Sequence, residues 1–233
     1  MRTGVPTKER SDTFDLVASP WHTVLVLAAI GLLVFRGKVQ AEQMRAALHP
    51  DRIVLYERIL LTEWLTLGLV LGGVWLKGVS LLTVLGDHWR SAREFLRDAG
   101  IGVLFLFASV AAGSILGAHG DAPNQATKFL LPQGGLQISL WILISITAGI
   151  CEEAIYRGYL QKQFTALTRS VPAGIVVSAL LFGLGHSYQG WRRASVISLM
   201  GAMAGILAYW RRSVRPGMIG HALQDVLGAF VRH

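Results

Sequence analysis

The sequence has few charged residues. Asp, Glu, Lys and Arg make up 15% of its 233 residues, whereas 52% are hydrophobic. A soluble domain carries about a quarter charged residues, and the charges here are bunched between apolar runs. This composition is typical of a polytopic membrane protein. The predicted fold class is therefore all-α, a transmembrane bundle of about seven to eight helices.

Cysteine is almost absent. Cys151 is the only one, which excludes an intrachain disulfide and a cysteine-based metal cluster. The sequence also lacks a Cys/His zinc pattern, a phosphate-binding glycine loop, a G-x-S-x-G motif and internal repeats. Candidate chemistry must therefore be sought among acids and histidines.

The net charge is +8, and much of it lies in connections such as "FRGK", "YQGWRR" and "YWRRSVRP". Basic residues in these places anchor helix ends and face anionic lipid. No basic patch alternates with aromatic residues on a polar face, so we predict membrane lipid as a partner and no nucleic acid. Lys and Arg are more frequent on the side of the N-terminal tail, which favours the cell (inner) membrane with a cytosolic N-terminus.

Apolar stretches that can cross a bilayer recur along the chain. They are Trp21–Phe35, Ile53–Leu76, Ala99–Ala118, Leu136–Leu160, Val171–Tyr188, Ala194–Trp210 and Pro216–Val231. We interpret the first as a retained span and not as a cleaved signal peptide. The second half of Val79–Asp98 predicts an amphipathic helix at the membrane interface. The polar loop His119–Gly135 is the clearest break in the chain.

These patterns predict one integrated membrane domain in two parts. Residues 1–135 hold the N-terminal helices, with two to three spans plus the interfacial amphipathic helix, and residues 136–233 hold a C-terminal helical core.

Charged residues stand in one of the most apolar runs, "GICEEAIYRGYL". An ionised carboxylate at the bilayer centre costs about 2.5–3.5 kcal/mol, so such residues usually mark a pathway or a site. Glu153 and Arg157 are one helical turn apart and can pair. This pairing leaves Glu152 as the free carboxylate, in surroundings that suit a general base. The alternative is that the helix has left the bilayer and that these are interface charges.

Two histidines stand on similar apolar backgrounds. His186 ends "LLFGLGH", four residues after Phe182, and lies as far beyond Arg169 in the chain as Glu152 lies before it. Equal arms of a helical hairpin bring Glu152 and His186 to similar depth. His221 shares a helix face with Asp225, but it lies early in its span, which predicts a depth mismatch of roughly 13 Å with His186. Alone, each histidine could be an interface residue or half of a simple polar pair.

Taken together, the three groups favour a site. Polar residues on separate apolar helices turn inward in a bundle, because lipid would leave them unsatisfied. A carboxylate base, two imidazoles and a second acid suffice to activate a water and to stabilise an oxyanion. A glutamate with two histidines can also ligate zinc.

The order and spacing of these motifs resemble the CAAX protease and bacteriocin-processing (CPBP, or Abi) family of intramembrane endopeptidases. The resemblance covers about Leu136 to Val231 and implies that residues 136–233 are a catalytic core. The matching motifs are Glu152-Glu153-x-x-x-Arg157, Phe182-x-x-x-His186 and His221-x-x-x-Asp225.

The resemblance implies roles for these residues. Glu152 would activate the water, helped by His186, and Glu153, Arg157 and Phe182 would support the site. His221 and Asp225 would complete it by holding the oxyanion or a metal. Zinc is thus a candidate cofactor, with Glu152, His186, His221 and Asp225 as its possible ligands.

The family often has Asn where this chain has Asp225. An ionised carboxylate cannot donate a hydrogen bond to an oxyanion, so Asp225 suits a metal ligand or a partner that orients His221. The implied partner is a protein or peptide substrate, and a lipidated C-terminus is one option.

Other readings remain open. Cys151 could serve as a thiol nucleophile with His186, although neighbouring helical residues point about 100° apart. Glu63, in the second span, could pair with a neighbour inside the bundle or line a substrate or proton path. The protein could also be a non-catalytic scaffold or bacteriocin-immunity protein of the same fold, or a proton-coupled transporter.

Overall fold

The computed structural model describes residues 13–47, 50–116 and 128–230. Within these ranges all of the regular secondary structure is helical. The helices are α1 (Pro20–Ala46), α2 (Arg52–Leu76), α3 (Leu82–Leu85), α4 (Ala92–Ile115), α5 (Gly135–Glu152), a π-helix (Glu153–Leu160), α6 (Gln161–Thr168), α7 (Val171–Gly185), α8 (Trp191–Arg211) and α9 (Arg215–Phe230). The α5, π and α6 segments form one continuous helix, Gly135–Thr168, which gives eight helices in the described part of the chain. The predicted all-α bundle is confirmed.

Five of these helices are long and apolar enough to cross a membrane. They are α1, α2, α4, the continuous helix Gly135–Thr168 and α8, and α7 is a shorter apolar helix. The protein is therefore an integral membrane protein. The predicted spans differ from the observed helices mainly at their ends, where polar residues extend several of them. The predicted loop His119–Gly135 and the end of the last predicted span, Val231, fall partly on residues outside the described ranges.

The continuous helix Gly135–Thr168 is the central element. Half of its most apolar window is buried, against 17% to 33% in the other four long helices. It packs against α2, α7 and α9. Helix α6 then turns into α7 at Arg169, which has the left-handed backbone conformation with φ 54°. The predicted hairpin thus has its turn at the expected residue.

The π-helix carries the motif "EAIYRGYL". Seven of its eight residues are buried, and short α3 lies directly against it. A Cβ at Gly158 would come within 2.1 Å of the Val84 carbonyl oxygen, so glycine allows this contact. Lys162, just after the π-helix, donates a hydrogen bond to the Thr83 carbonyl. Single π turns inside α-helices occur frequently at functional sites.

The second half of Val79–Asp98, predicted as an amphipathic helix, is helical from Ala92. It forms the first turns of α4, which continues without a break to Ile115, so it is not separate from the next predicted span. Ser91 Oγ accepts a hydrogen bond from Glu94 N, and Glu94 Oε2 accepts one from Arg90 N. This capping box starts the helix at Ala92, and no proline follows to end it before the apolar run.

One acidic residue in the first turns of α4, Asp98, is buried and forms ion pairs inside the protein. Asp98 is 1% exposed and faces three guanidinium groups, with its carboxylate oxygens 3.3 Å from Arg97 Nη2, 3.6 Å from Arg211 Nη2 and 3.1 Å from Arg215 Nη2. Trp89 Nε1 donates a further hydrogen bond at 3.1 Å. Asp98 therefore joins α4 to the end of α8 and the start of α9.

Candidate active site

The polar residues of the three motifs meet where α5 passes into the π-helix. Glu152 is the last residue of α5 and Glu153 the first of the π-helix. His221 reaches both from α9, with Nε2 3.5 Å from Glu152 Oε2 and Nδ1 3.3 Å from Glu153 Oε1. The depth mismatch predicted for His221 does not keep α9 from the glutamates.

Glu153 is committed to an internal ion pair. Its Oε1 lies 2.9 Å from Arg157 Nη1, and each of the two side chains is 2% exposed. A Cβ at Gly217 would come within 2.7 Å of Glu153 Oε2, so the α9 backbone closes over this carboxylate. Because Glu153 is enclosed and paired, Glu152 is the carboxylate left to face a reactant.

His221 connects the carboxylates of the site. Beyond its contacts with Glu152 and Glu153, its Nε2 lies 3.6 Å from Asp225 Oδ2, one turn further along α9. Both ring nitrogens thus face carboxylate oxygens. Trp141 Nε1 donates a hydrogen bond of 3.0 Å to the Asp225 backbone carbonyl, which fixes this turn of α9 against α5.

His186 lies immediately after the end of α7. Its Nδ1 is 2.9 Å from the Phe182 carbonyl oxygen, an acceptor only, so Nδ1 carries the hydrogen. The neutral ring then presents an unprotonated Nε2 that can accept a hydrogen bond from a water. The ring also stacks against Tyr188, with centroids 6.3 Å apart.

Phe182 holds the groups together as a packing centre. Its ring lies 4.9 Å from the His186 ring and 5.9 Å from the His221 ring, centroid to centroid. The Arg157 guanidinium sits 4.2 Å over the same ring, and the Tyr156 ring is 5.1 Å away. One buried aromatic side chain therefore contacts residues of all three motifs.

Exposure rises steadily across the site. The side chains of Glu153, His221, Glu152 and Asp225 are 2%, 12%, 16% and 39% exposed, respectively. The site is thus most enclosed at Glu153 and most open at Asp225.

The predicted zinc site finds no support in the geometry. Among residues 13–47, 50–116 and 128–230, no group of three or more His, Cys, Asp and Glu side chains is arranged to hold a metal ion. The Nδ1 of His186 is already bound to the Phe182 carbonyl oxygen, which leaves only its Nε2 open to a further partner. The Cys151 reading also lacks support, because Cys151 is 0% exposed within an apolar cluster that includes Ala154 and Ile155.

The structure adds one acid to the predicted set. The Glu63 side chain on α2 is in hydrogen-bonding contact with that of Glu152. The sequence spacing indicates that Glu63 faces the bundle, because it is seven residues from Tyr56 and from Val70 and shares their helix face. Its partner could not be identified without the packing of α2 on α5.

A family model matches the part of the chain that carries these motifs. Residues 134–227 match the family model described as type II CAAX prenyl endopeptidase Rce1-like. This part of the chain is therefore similar to that family, and we call it the Rce1-like stretch. The predicted family resemblance is confirmed, and the Rce1-like stretch contains every predicted site residue from Glu152 to Asp225. Glu63 and all of α1 to α4 precede it. No curated protein and no solved structure matches the chain.

Proposed function

We propose that the protein is an intramembrane endopeptidase that hydrolyses a peptide bond of a protein or peptide substrate near the membrane surface. The observation that carries the proposal is the meeting of Glu152 and His221, with His186 beside them on Phe182, inside the Rce1-like part of the chain. These groups come from three segments of an apolar bundle. Ionisable residues are rare inside such bundles and usually mark a functional site.

Glu152 acts as the general base. A water between Glu152 and His186 donates one hydrogen bond to His186 Nε2 and gives its other proton to Glu152 as its oxygen attacks the scissile carbonyl carbon. The carbonyl π bond breaks and its electron pair moves to the oxygen. The proton held by Glu152 then passes to the leaving nitrogen, the C–N bond breaks, and an acid and an amine are released.

His221 stabilises the charge that develops. Because Nδ1 donates to the Glu153 carboxylate, the donor form of the ring is the doubly protonated one, which the surrounding carboxylates favour. Its Nε2–H then lies between Glu152 and Asp225 and can turn toward the oxyanion of the tetrahedral intermediate. Asp225 orients this imidazole from one turn away, and Glu153 holds its Nδ1. Arg157 neutralises Glu153, so that Glu153 does not compete with Glu152 for the proton.

The test is cleavage of a panel of membrane-tethered and prenylated peptides by the purified protein in detergent. We expect the wild type to cleave at least one peptide and both Glu152→Gln and His186→Ala to lose at least about 100-fold in kcat, because each removes a group that handles the water. Matched controls are Glu57→Gln and His88→Ala, which change an acid and a histidine at exposed positions. We expect both controls to cleave as the wild type does.

A chelator control tests whether cleavage needs a metal, and the result for the wild type tests the proposal itself. Equal cleavage with and without a chelator supports the metal-free route through Glu152, whereas loss with the chelator favours a metal. A folded wild type that cleaves nothing in the panel contradicts the proposal. It shifts the interpretation to a scaffold or immunity protein, or to a proton-coupled transporter.

A further inference from the structure

Glu63 lies on the buried face of α2. It is two turns after Tyr56, four residues before Leu67 and two turns before Val70, and those three residues are at most 2% exposed. Residues at such spacings share one face of a helix. The Glu63 side chain therefore points into the bundle and not toward lipid, and in that position it needs a polar partner.

That partner is Glu152. The two side chains are in hydrogen-bonding contact, and His221 and Asp225 lie in the electrostatic surroundings of Glu63. A helix from the N-terminal half thus reaches the centre of the site.

Two ionised carboxylates cannot form this contact, because each can only accept a hydrogen bond. A proton must lie between them. Glu152 Oε2 is buried and accepts no hydrogen bond from a permanent N–H or O–H donor among the described residues. A protonated Glu63 is the donor of the contact with the Glu152 carboxyl and leaves Glu152 with the negative charge that faces His221.

We propose that Glu63 is a positioning residue of the active site, which donates a hydrogen bond to Glu152 and fixes the orientation of the carboxylate that activates water. The catalytic effect of Glu63 rests on the proposed function. The contact between Glu63 and Glu152 does not depend on it. It also makes α2 part of the site, although α2 lies outside the Rce1-like residues 134–227.

The kinetic test compares Glu63→Leu with Glu63→Gln in the full-length protein. Leucine removes the donor, and we expect kcat to fall about 10- to 100-fold with little change in KM, as for residues that orient a catalytic group. Glutamine keeps an N–H donor at the same reach, and we expect it to retain most of the activity. Glu57→Leu and Glu57→Gln, at an exposed acid of the same helix, should keep the wild-type kcat. Wild-type kcat in Glu63→Leu, or equal losses in the Leu and Gln variants, would overturn the proposal.

A second arm needs no substrate. The thermal unfolding midpoints of the wild type, Glu63→Leu, Glu152→Leu and the double variant form a cycle. Each single change leaves one buried carboxyl without its partner, whereas the double change places two leucines together. We expect the double variant to unfold at a higher temperature than the sum of the two single shifts predicts. Additive shifts would show that the two carboxyls do not interact.

The two arms separate the two hypotheses. A wild type that cleaves no peptide, together with a non-additive cycle, removes the proposed function and the catalytic part of this inference but keeps the contact. An active wild type that depends on Glu152 but not on Glu63 removes this inference alone.

Discussion

The ion pair of Glu153 and Arg157 is almost completely enclosed, with each side chain 2% exposed. Burying both charges costs solvation that their mutual attraction offsets only when the geometry is good. Here the pair is completed by His221 Nδ1 on one oxygen of Glu153 and by the Phe182 ring beneath the guanidinium. The motif is therefore held by contacts from two other helices as well as by its own spacing.

Removal of one partner of this pair should be strongly destabilising. We expect Arg157→Met to lower the free energy of unfolding by about 3–5 kcal/mol, because Glu153 would remain as a buried, uncompensated charge. Denaturant titration in detergent micelles measures this change. The matched control is Arg90→Met, which breaks the exposed pair with Asp87 and should cost less than about 1 kcal/mol. Equal losses of stability in the two variants would show that the enclosure of the Glu153–Arg157 pair does not make its loss more costly.

The π-helix depends on a close approach at Gly158. The space that a Cβ would need is taken by the Val84 carbonyl oxygen of α3. We expect Gly158→Ala to push α3 away and to cost about 1–3 kcal/mol of stability, as overpacking does. Since the π-helix starts at Glu153, kcat should fall as well.

Gly72→Ala is the control for this substitution. A Cβ at Gly72, inside α2, meets nothing within 4 Å, so alanine there should be neutral or should stabilise by up to about 1 kcal/mol through helix propensity. Thermal unfolding and peptide cleavage of both variants provide the comparison. A Gly158→Ala protein as stable and active as Gly72→Ala would show that α3 does not constrain the π-helix.

The motif-bearing elements could be predicted because their signals are local. The spacing of Glu153 from Arg157 and of His221 from Asp225 lies within one turn of a helix. The Arg169 turn was equally visible, since it separates two apolar runs of similar length. The position of His186 was less so. The predicted span runs on to Tyr188, whereas the structure ends α7 at Gly185 and anchors the imidazole to the Phe182 carbonyl.

The sequence was least informative where contacts between distant parts of the chain determine the structure. The charged residues before Asp98 predicted a separate amphipathic segment, but Asp98 itself pairs with Arg211 and Arg215, more than 100 residues further along the chain. The capping box at Ser91 marks the start of α4 in the sequence and outweighs that amphipathic pattern. Glu63 is the same kind of case, because its partner on another helix becomes known only when α2 is packed against α5.

At the scale of the whole molecule, the Asp98 cluster connects α4 with α8 and α9. We expect Asp98→Leu to cost about 3–5 kcal/mol, because it leaves neighbouring guanidinium groups without their shared carboxylate. Its readouts are denaturant titration in micelles and protease susceptibility of the α8–α9 connection.

Asp87→Asn is the matched control for this change. A hydrogen bond from the His88 backbone N–H, together with Arg90, lowers the pKa of the exposed Asp87 carboxyl below its usual value, so Asp87 is a charged residue at neutral pH but not an enclosed one. We expect its loss to leave the stability close to that of the wild type. If Asp98→Leu were equally mild, the cluster would not hold the three helices together.

The difference in exposure between Glu153 and Asp225 indicates which chemical groups a ligand of this site would need. Glu153 is sealed under α9, whereas Asp225 is 39% exposed beside Glu152. A small molecule aimed at Glu152 from the more exposed end of the site would meet the carboxylate of Asp225. A basic group on such a compound would gain an anchor there.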